Sequence, residues 1–268
     1  MKRSRAQSFA RGLAGVAAIA IMAGTVAGCA TDKMSTGSVA RTKNFSQMSA
    51  SQLDAASRDL GKAYASSPHD KRIAMPYANL LRMTGRNDQA LAVMRALAIA
   101  YPKDRDVLAA YGKALASAGE LEPALNAIRR AQTPEYPDWK LLSAEGAILD
   151  QLGQQDAARG LYRRALDLQP NEASVLSNLG MSYLLAGDLS TAEKYMQQAA
   201  AQPGADAGVR QNLALVVGLQ GRFQEAEAIA RRDLPTDQAD ANVQYLRSML
   251  AQQNAWNLLE KDDKKKSN

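Results

Sequence analysis

The sequence predicts an all-α protein in which pairs of helices repeat and stack into a right-handed superhelical solenoid. Several residue classes recur every 34 positions, and no stretch has the alternating pattern of a β-strand. Aromatic residues make up only 5% of the chain, whereas alanine, the residue with the strongest intrinsic helix propensity, is abundant. Hydrophobic residues at 46% and charged residues at 22% are typical of a folded soluble chain.

The 34-residue step is kept by glycines, by small residues and by aliphatic residues in one common register. The glycines are Gly85, Gly119, Gly153, Gly187 and Gly221, and the alanines are Ala90, Ala124, Ala158, Ala192 and Ala226. A second ladder of small residues comprises Ala78, Gly112, Gly146, Gly180 and Ala214, and the aliphatic ladder comprises Ile73, Val107, Leu141, Val175, Val209 and Val243. Self-similarity at a fixed period of this length indicates a repeat architecture.

The period and one segment in particular resemble the tetratricopeptide repeat (TPR). That segment reads Asn178-Leu179-Gly180-x-x-Tyr183, followed by Gly187-Asp188, Ala192 and Ala199. The resemblance implies two antiparallel helices per repeat, with glycine in the turn and small residues where the helices approach closely. We expect a solenoid over residues 51–259, with full repeats at 71–104, 105–138, 139–172, 173–206 and 207–240. We expect a half repeat at 51–70, a capping helix at 241–259 and a charged tail at 260–268.

The first residues have the pattern of a bacterial lipoprotein signal. Four cations precede an apolar run of about 15 residues, too short for a membrane-spanning helix. The run ends in Val26, Ala27, Gly28 and Cys29, which resembles a lipobox and implies that Cys29 is acylated and becomes the mature N-terminus. The alternative is an ordinary signal peptide with an incidental cysteine. We predict a signal over residues 1–28 and an acylated, flexible tether over residues 29–50.

Removal of this signal bears on charge and on location. The four cations before the apolar run account for most of the formal charge of +6, and cleavage leaves +2. A nucleic-acid partner is therefore not expected. Ala30, rather than aspartate, follows the cysteine, and by resemblance to the enterobacterial sorting rule this places the protein at the periplasmic face of the outer membrane.

The composition disfavours catalysis and metal binding. One cysteine and one histidine cannot supply a disulfide framework, a Cys-based zinc site or a His-rich metal centre. His69 stands in a Ser-Pro-His-Asp turn, where an exposed turn residue is the expected role. We therefore expect no enzyme activity, no cofactor, no metal and no small-molecule substrate.

The TPR resemblance implies a concave groove lined by the first helix of each repeat. Our candidate groove residues for binding a peptide are Met75, Asn79, Arg82, Lys113, Asn178, Met181, Asn212 and Leu215. The two asparagines Asn178 and Asn212 can both donate to and accept from a peptide backbone, or can instead cap local polar groups. The methionines and Leu215 suggest a partly apolar groove, or can instead belong to the core. The carboxylate-clamp subtype is rejected, because Met75 and Ala110 stand where it needs Lys and Asn.

Two further features concern charge. Acids gather at the start of each second helix and arginines such as Arg95, Arg129 and Arg163 follow near its end, which complements the helix dipole; an outer arginine stripe that touches lipid phosphates is the alternative. Glu145 occupies a register position that is Tyr or Leu in other repeats, and we expect it to lean towards the groove rather than be buried.

Residues 137–142 and 212–222 give the chain a resemblance to the TadD-like lipoproteins of Flp (tight-adherence) pilus assembly. The resemblance implies a pilotin-like adaptor at the outer membrane that binds envelope proteins, such as the pilus secretin or another component of the Tad machinery. The alternatives are a TPR lipoprotein of β-barrel assembly and a scaffold that recruits peptidoglycan enzymes.

Overall fold

The computed structural model describes residue 45, residues 48–133, residue 135 and residues 137–266, with side chains as far as residue 252. The predicted signal, the lipobox of Val26, Ala27 and Gly28, and Cys29 lie outside the described residues, as does most of the predicted tether. The side chains at the end of the predicted capping helix and in the charged tail lie outside them too.

The described residues form twelve α-helices and no β-strand, so the predicted all-α fold of repeated helix pairs is confirmed. The first six are α1 (Ala50–Ser66), α2 (Lys71–Met83), α3 (Asn87–Ala100), α4 (Arg105–Ser117), α5 (Leu121–Ala131) and α6 (Trp139–Gln151). The others are α7 (Gln155–Leu168), α8 (Ala173–Leu185), α9 (Leu189–Ala200), α10 (Ala207–Leu219), α11 (Phe223–Ala230) and α12 (Thr236–Lys266).

The described chain up to Leu152 forms one compact unit, the N-terminal unit. Each helix in it packs against the next one along the chain, and α4 also contacts both α2 and α6. The helices α2, α4 and α6 therefore lie side by side and form a layer that we call the first-helix layer. The helices α1, α3 and α5 form the second-helix layer. The main apolar core between them includes Leu81, Met94, Leu97, Leu115 and Ile128, each at most 1% exposed.

The chain from Gly153 to α12 forms the second compact unit, the C-terminal unit. Here α8 contacts α10, and α10 also contacts α12, while α7, α9 and α11 pack against the members of that layer. Tyr162, Leu179, Met196 and Val216 are buried in its core. The same alternation of helices therefore recurs within this unit.

Glycine ends the first helix of each pair in the way that the register predicts. Gly85, Gly119, Gly153, Gly187 and Gly221 all have φ between 75° and 84°, the left-handed conformation that glycine adopts without steric cost. At the first of these turns the Gly85 amide donates to the Arg82 carbonyl and the Arg86 amide to the Leu81 carbonyl, at 3.1 and 2.8 Å. These bonds satisfy carbonyls at the end of α2 and reverse the chain into α3.

Acidic side chains begin the first helices of the pairs. The N-cap residues of α2, α4, α6, α8 and α10 are Asp70, Asp104, Asp138, Glu172 and Asp206, which are also 34 residues apart. Each carboxylate accepts a hydrogen bond from a backbone amide of the first turn, and this satisfies a donor that the helix leaves unpaired. These five acids were not among our predictions, although their 34-residue spacing is visible in the sequence.

Candidate functional site

Four of the predicted groove residues lie on the first-helix layer of the N-terminal unit. Met75, Asn79 and Arg82 belong to α2, and Lys113 belongs to α4. Met75 is half-buried and packs against the core, as the alternative interpretation of the methionines has it. Asn79, Arg82 and Lys113 are exposed, so their polar groups face solvent.

Polar contacts within α2 arrange two of these side chains. The Arg82 guanidinium donates to the Asn79 carboxamide oxygen at 3.0 Å, and the Asn79 amide nitrogen lies 3.8 Å from the sulfur of Met83. Met83 is itself 40% exposed, so its thioether is accessible to solvent. An arginine, an amide and an accessible thioether therefore stand together near the end of α2.

Lys113 has an unusual electrostatic environment. Desolvation by the surrounding protein lowers the pKa of its ammonium group, and repulsion from Arg82 and Lys140 lowers it further, while only Asp138 acts in the opposite sense. Lys140 in α6 was missing from the predicted groove residues. The register gave no clear signal for it, because the equivalent positions 68 and 34 residues earlier hold Arg72 and Asp106, which carry opposite charges.

The other four predicted groove residues, Asn178, Met181, Asn212 and Leu215, lie in the C-terminal unit on α8 and α10, and all are half-buried. The Asn212 amide donates to the Ser177 hydroxyl at 3.1 Å, and that hydroxyl lies 3.6 Å from the sulfur of Met196. Asn212 thus satisfies a polar group on the neighbouring helix, which agrees with the capping interpretation. Met181 and Leu215 pack against the core of the unit.

Glu145 is buried, so our expectation that it leans towards the groove was wrong. The residue is 8% exposed, and its carboxylate accepts from Arg129 Nε at 2.7 Å and from Gln132 Nε2 at 3.0 Å. Both donors lie on or just after α5, the helix before α6. These two charge-assisted bonds satisfy the carboxylate and offset the cost of burying it.

A shallow cavity of about 200 Å³ in the N-terminal unit is lined by residues of α3, α4 and α5. Its lining includes Arg95, Ile99, Tyr111 and Arg130, and Ile99 is 77% exposed. Both arginines already have partners, since Arg95 donates to Glu120 at 3.2 Å and Arg130 donates to the Pro102 carbonyl at 3.0 Å. The cavity therefore offers an apolar contact flanked by engaged cations.

His69 is exposed in the turn before α2, where its carbonyl accepts from the Tyr101 hydroxyl at 3.0 Å. Within the described ranges no three His, Cys, Asp or Glu residues gather closely enough to hold a metal ion. None of the helices described is both long and apolar enough to span a bilayer.

Comparison with known families agrees with the helix pairs seen here. Models of the tetratricopeptide repeat match residues 47–114 and residues 143–208. Comparison with curated protein sequences finds no significant match.

Several solved structures share the fold. PilW, described as a widely conserved type IV pilus biogenesis factor, is 19% identical with a TM-score of 0.57, and the match covers 72% of this chain and 90% of PilW. TTC0263, a thermophilic TPR protein of Thermus thermophilus, is 24% identical with a TM-score of 0.57, covering 68% of this chain and all of that one. The APC/C hetero-tetramer Cut9-Hcn1 is 17% identical with a TM-score of 0.57, covering 76% of this chain and 40% of that one.

The chain is a tetratricopeptide-repeat protein, a member of a class whose stacked helix pairs serve as scaffolds for protein–protein interaction. Its likeness to PilW and to the APC/C hetero-tetramer Cut9-Hcn1 is one of fold, and one fold can serve many different functions.

Proposed function

We propose that this protein is a lipid-anchored adaptor at the periplasmic face of the outer membrane, and that it holds segments of partner proteins on its first-helix layer. The partners are components of a Flp (Tad) pilus machine, above all its secretin, which the adaptor stabilises or guides to the membrane. Capture of a protein segment needs no covalent chemistry, only an accessible surface of suitable shape and charge.

The observation that carries the proposal is the pairing of two parts in one chain. Val26, Ala27, Gly28 and Cys29 form a lipobox-like end to an apolar signal, and a TPR interaction scaffold follows it. An acyl chain on Cys29 would hold that scaffold at a membrane surface, and the tether would give it a reach of roughly 25 Å.

The pilus assignment is supported from two directions. Residues 137–142 and 212–222 resemble TadD-like lipoproteins, and the fold matches PilW along 90% of that pilus biogenesis factor. A protein of this kind acts by binding, so the identity of its partner decides its role.

The partner is tested by crosslinking in living cells, followed by recovery of the tagged full-length protein and identification of what is bound to it. The proposal predicts enrichment of the secretin or other pilus-assembly proteins over a control with an unrelated tagged lipoprotein. Enrichment of β-barrel assembly proteins or of peptidoglycan enzymes in their place would contradict the pilus role.

The anchor is tested by the substitution Cys29→Ala, with a clickable fatty acid supplied to the cells and the membranes then fractionated. Wild-type protein is expected to carry the label and to sediment with the outer membrane. The variant is expected to lose the label and to leave the outer-membrane fraction. An unlabelled wild-type protein would remove the anchor from the proposal, and the helix pairs would be unaffected.

A further inference from the structure

Three cations on the first-helix layer of the N-terminal unit lack an acidic partner. Arg82 comes from α2, Lys113 from α4 and Lys140 from α6, and all three are exposed. In the part of the chain that the structure describes, none of them lies within 4.0 Å of a carboxylate oxygen, whereas Lys71 and Arg129 in the same unit form ion pairs.

Lys113 lies on the middle helix of the three, since α4 contacts both α2 and α6. Arg82 and Lys140 both destabilise the charged form of Lys113, and the one acid that opposes them is Asp138. The Asp138 carboxylate is already engaged as the N-cap of α6, where it accepts from the Lys140 amide at 2.8 Å. The layer therefore carries an excess of positive charge at these three residues. Arg82 and Lys140 repel Lys113, and a bound anion would reduce that repulsion.

Neighbouring protein atoms remove part of the hydration of two of these cations. Desolvation lowers the pKa of both Arg82 and Lys113, although both side chains remain accessible to water. A bound anion would therefore meet these cations in a medium that screens the attraction less than open solvent does.

The row formed by Arg82, Lys113 and Lys140 has the dimensions of a peptide. The cations leave α2 near its end, α4 past its middle and α6 at its start, so the row runs diagonally over three helices. With helix axes about 10 Å apart and a rise of about 1.5 Å per residue, it spans roughly 25 Å. An extended chain covers that distance with about eight residues. A single small anion reaches only part of the row.

We propose that Arg82, Lys113 and Lys140 form a binding site for an acidic segment of a protein partner, with Met83 beside them to receive an apolar side chain of the same segment. The inference rests on the proposed function, because it assigns a chemistry to the segment that the adaptor captures. Carboxylates on the segment would supply the negative charges that these three cations lack.

The test uses the full-length protein and a fluorescent ten-residue peptide in which three glutamates are separated by leucine and alanine. A control peptide carries glutamine at those three positions. The site variant combines Arg82→Gln, Lys113→Gln and Lys140→Gln. A matched variant combines Arg58→Gln, Lys62→Gln and Lys103→Gln, three exposed cations elsewhere in the same unit, so that both variants lose the same charge.

The site variant is expected to bind the acidic peptide about tenfold more weakly than wild type, and the matched variant within about twofold of it. The wild-type protein should prefer the acidic peptide to its glutamine control, and added salt should reduce that preference. Circular dichroism checks that both variants are folded, and Lys113→Gln alone replaces the site variant if the latter fails to fold.

Equal losses in the two variants would overturn the proposal, because net charge alone would then explain the binding. Failure of wild type to distinguish the two peptides would overturn it as well. So would a site variant that keeps the peptide but loses binding to vesicles of phosphatidylglycerol, since the cations would then serve a lipid surface.

The proposed function fails by a different result. If wild type recovers no pilus protein from cells, the adaptor role is wrong, whatever the peptide measurement shows. If the site variant recovers pilus proteins as well as wild type does, the adaptor role stands and the cationic site is wrong.

Discussion

Glu145 is a carboxylate at a register position that holds Tyr77, Tyr111, Leu179 or Leu213 in the other repeats. Its partner, Arg129, lies one repeat after Arg95, and Arg95 lines the same cavity as Tyr111. The same pair of positions thus holds an arginine near a tyrosine in one repeat and an arginine–glutamate ion pair in the next. This pairing could be predicted from the 34-residue period, because Arg129 and Glu145 each lie 34 residues after Arg95 and Tyr111.

This ion pair leads to a prediction about stability. Arg129→Ala leaves the Glu145 carboxylate buried with Gln132 alone, so unfolding should become easier by about 1–2 kcal/mol, a value reduced because the arginine is half exposed. Glu145→Leu, which installs the residue found in later repeats, should stay within about 1 kcal/mol of wild type. Urea unfolding measures both.

The combined variant is the control for that prediction. With Glu145→Leu already present, Arg129→Ala should cost less than about 0.5 kcal/mol, since no buried charge remains to be orphaned. A cost that persists unchanged in this background would show that Arg129 stabilises the protein by packing rather than through Glu145.

A second residue-scale prediction concerns pH. Arg210 forms a two-pronged ion pair with Asp233, with N–O distances of 2.7 and 2.6 Å, and the hydrogen bond from Arg210 holds the pKa of Asp233 below its usual value. A carboxyl whose pKa is lowered on folding contributes stability above its unfolded pKa, and that contribution is lost as pH falls through the folded pKa. Asp233→Asn should therefore destabilise the protein at neutral pH by about 1–2 kcal/mol.

The same variant should lose less stability than wild type when the pH falls from about 5 towards 2. Thermal unfolding across that range measures the difference, with Asp237→Asn as a control whose carboxyl is exposed at the start of α12. Parallel pH profiles for wild type and Asp233→Asn would show that the ion pair contributes nothing.

At the scale of the helix, the N-cap residue distinguishes most first helices from most second helices. The first helices of the pairs start at an acid that bonds to the helix backbone, whereas the N-cap residues Arg86, Glu120, Gln154 and Arg222 of the second helices α3, α5, α7 and α11 make no such bond. Asp206→Ala should cost about 1 kcal/mol, because the Val209 amide loses the acceptor that lies 2.9 Å away.

Gln154→Ala is the matched control for the cap, since it occupies the same position at the start of α7 in the same unit. It should change the free energy of unfolding by less than about 0.5 kcal/mol. Equal costs for Asp206→Ala and Gln154→Ala would mean that the carboxylate does not cap α10.

Replacing glycine by alanine should change stability in opposite directions at two helical positions, depending on how closely a neighbouring helix approaches. A Cβ at Gly112 would lie 2.7 Å from Ile128 Cγ1 and 3.2 Å from the Ala124 carbonyl oxygen, so Gly112→Ala should destabilise the α4–α5 pair by about 1–3 kcal/mol. Nothing lies within 4 Å of a Cβ at Gly160 in α7, so Gly160→Ala should stabilise by about 0.5–1 kcal/mol. Denaturant midpoints decide both; a stabilising Gly112→Ala would contradict the close packing.

At the scale of the whole molecule, the fold was predictable because each repeat restates the same helix pair. Gly85 and its four counterparts mark the turn between the two helices of each pair. One misassigned residue therefore does not change the alignment of the repeats. The interaction surface is harder to predict, because residues at equivalent positions meet different neighbours. Lys113 stands among cations, while Met181, two repeats later in the register, packs against the core.

The groups that a candidate binding residue contacts are even harder to predict from the repeat pattern. Asn212 matched a family binding position, yet its amide bonds to Ser177 on the neighbouring helix. A register identifies where a side chain sits along its helix, whereas its hydrogen-bond partner depends on the residue types of the adjacent helix. Lys140 shows the converse, since its importance emerges only beside Arg82 and Lys113.

If a protein partner binds the first-helix layer, a photoreactive residue on that layer should crosslink to the partner in living cells. The photoreactive residue replaces Met83 on α2 in one strain and Ile99 on α3 in another, two exposed apolar side chains on opposite layers of the same unit. We expect position 83 to capture a pilus-assembly protein and position 99 not to capture it. Capture of that protein from position 99 alone would show that the partner does not bind the first-helix layer.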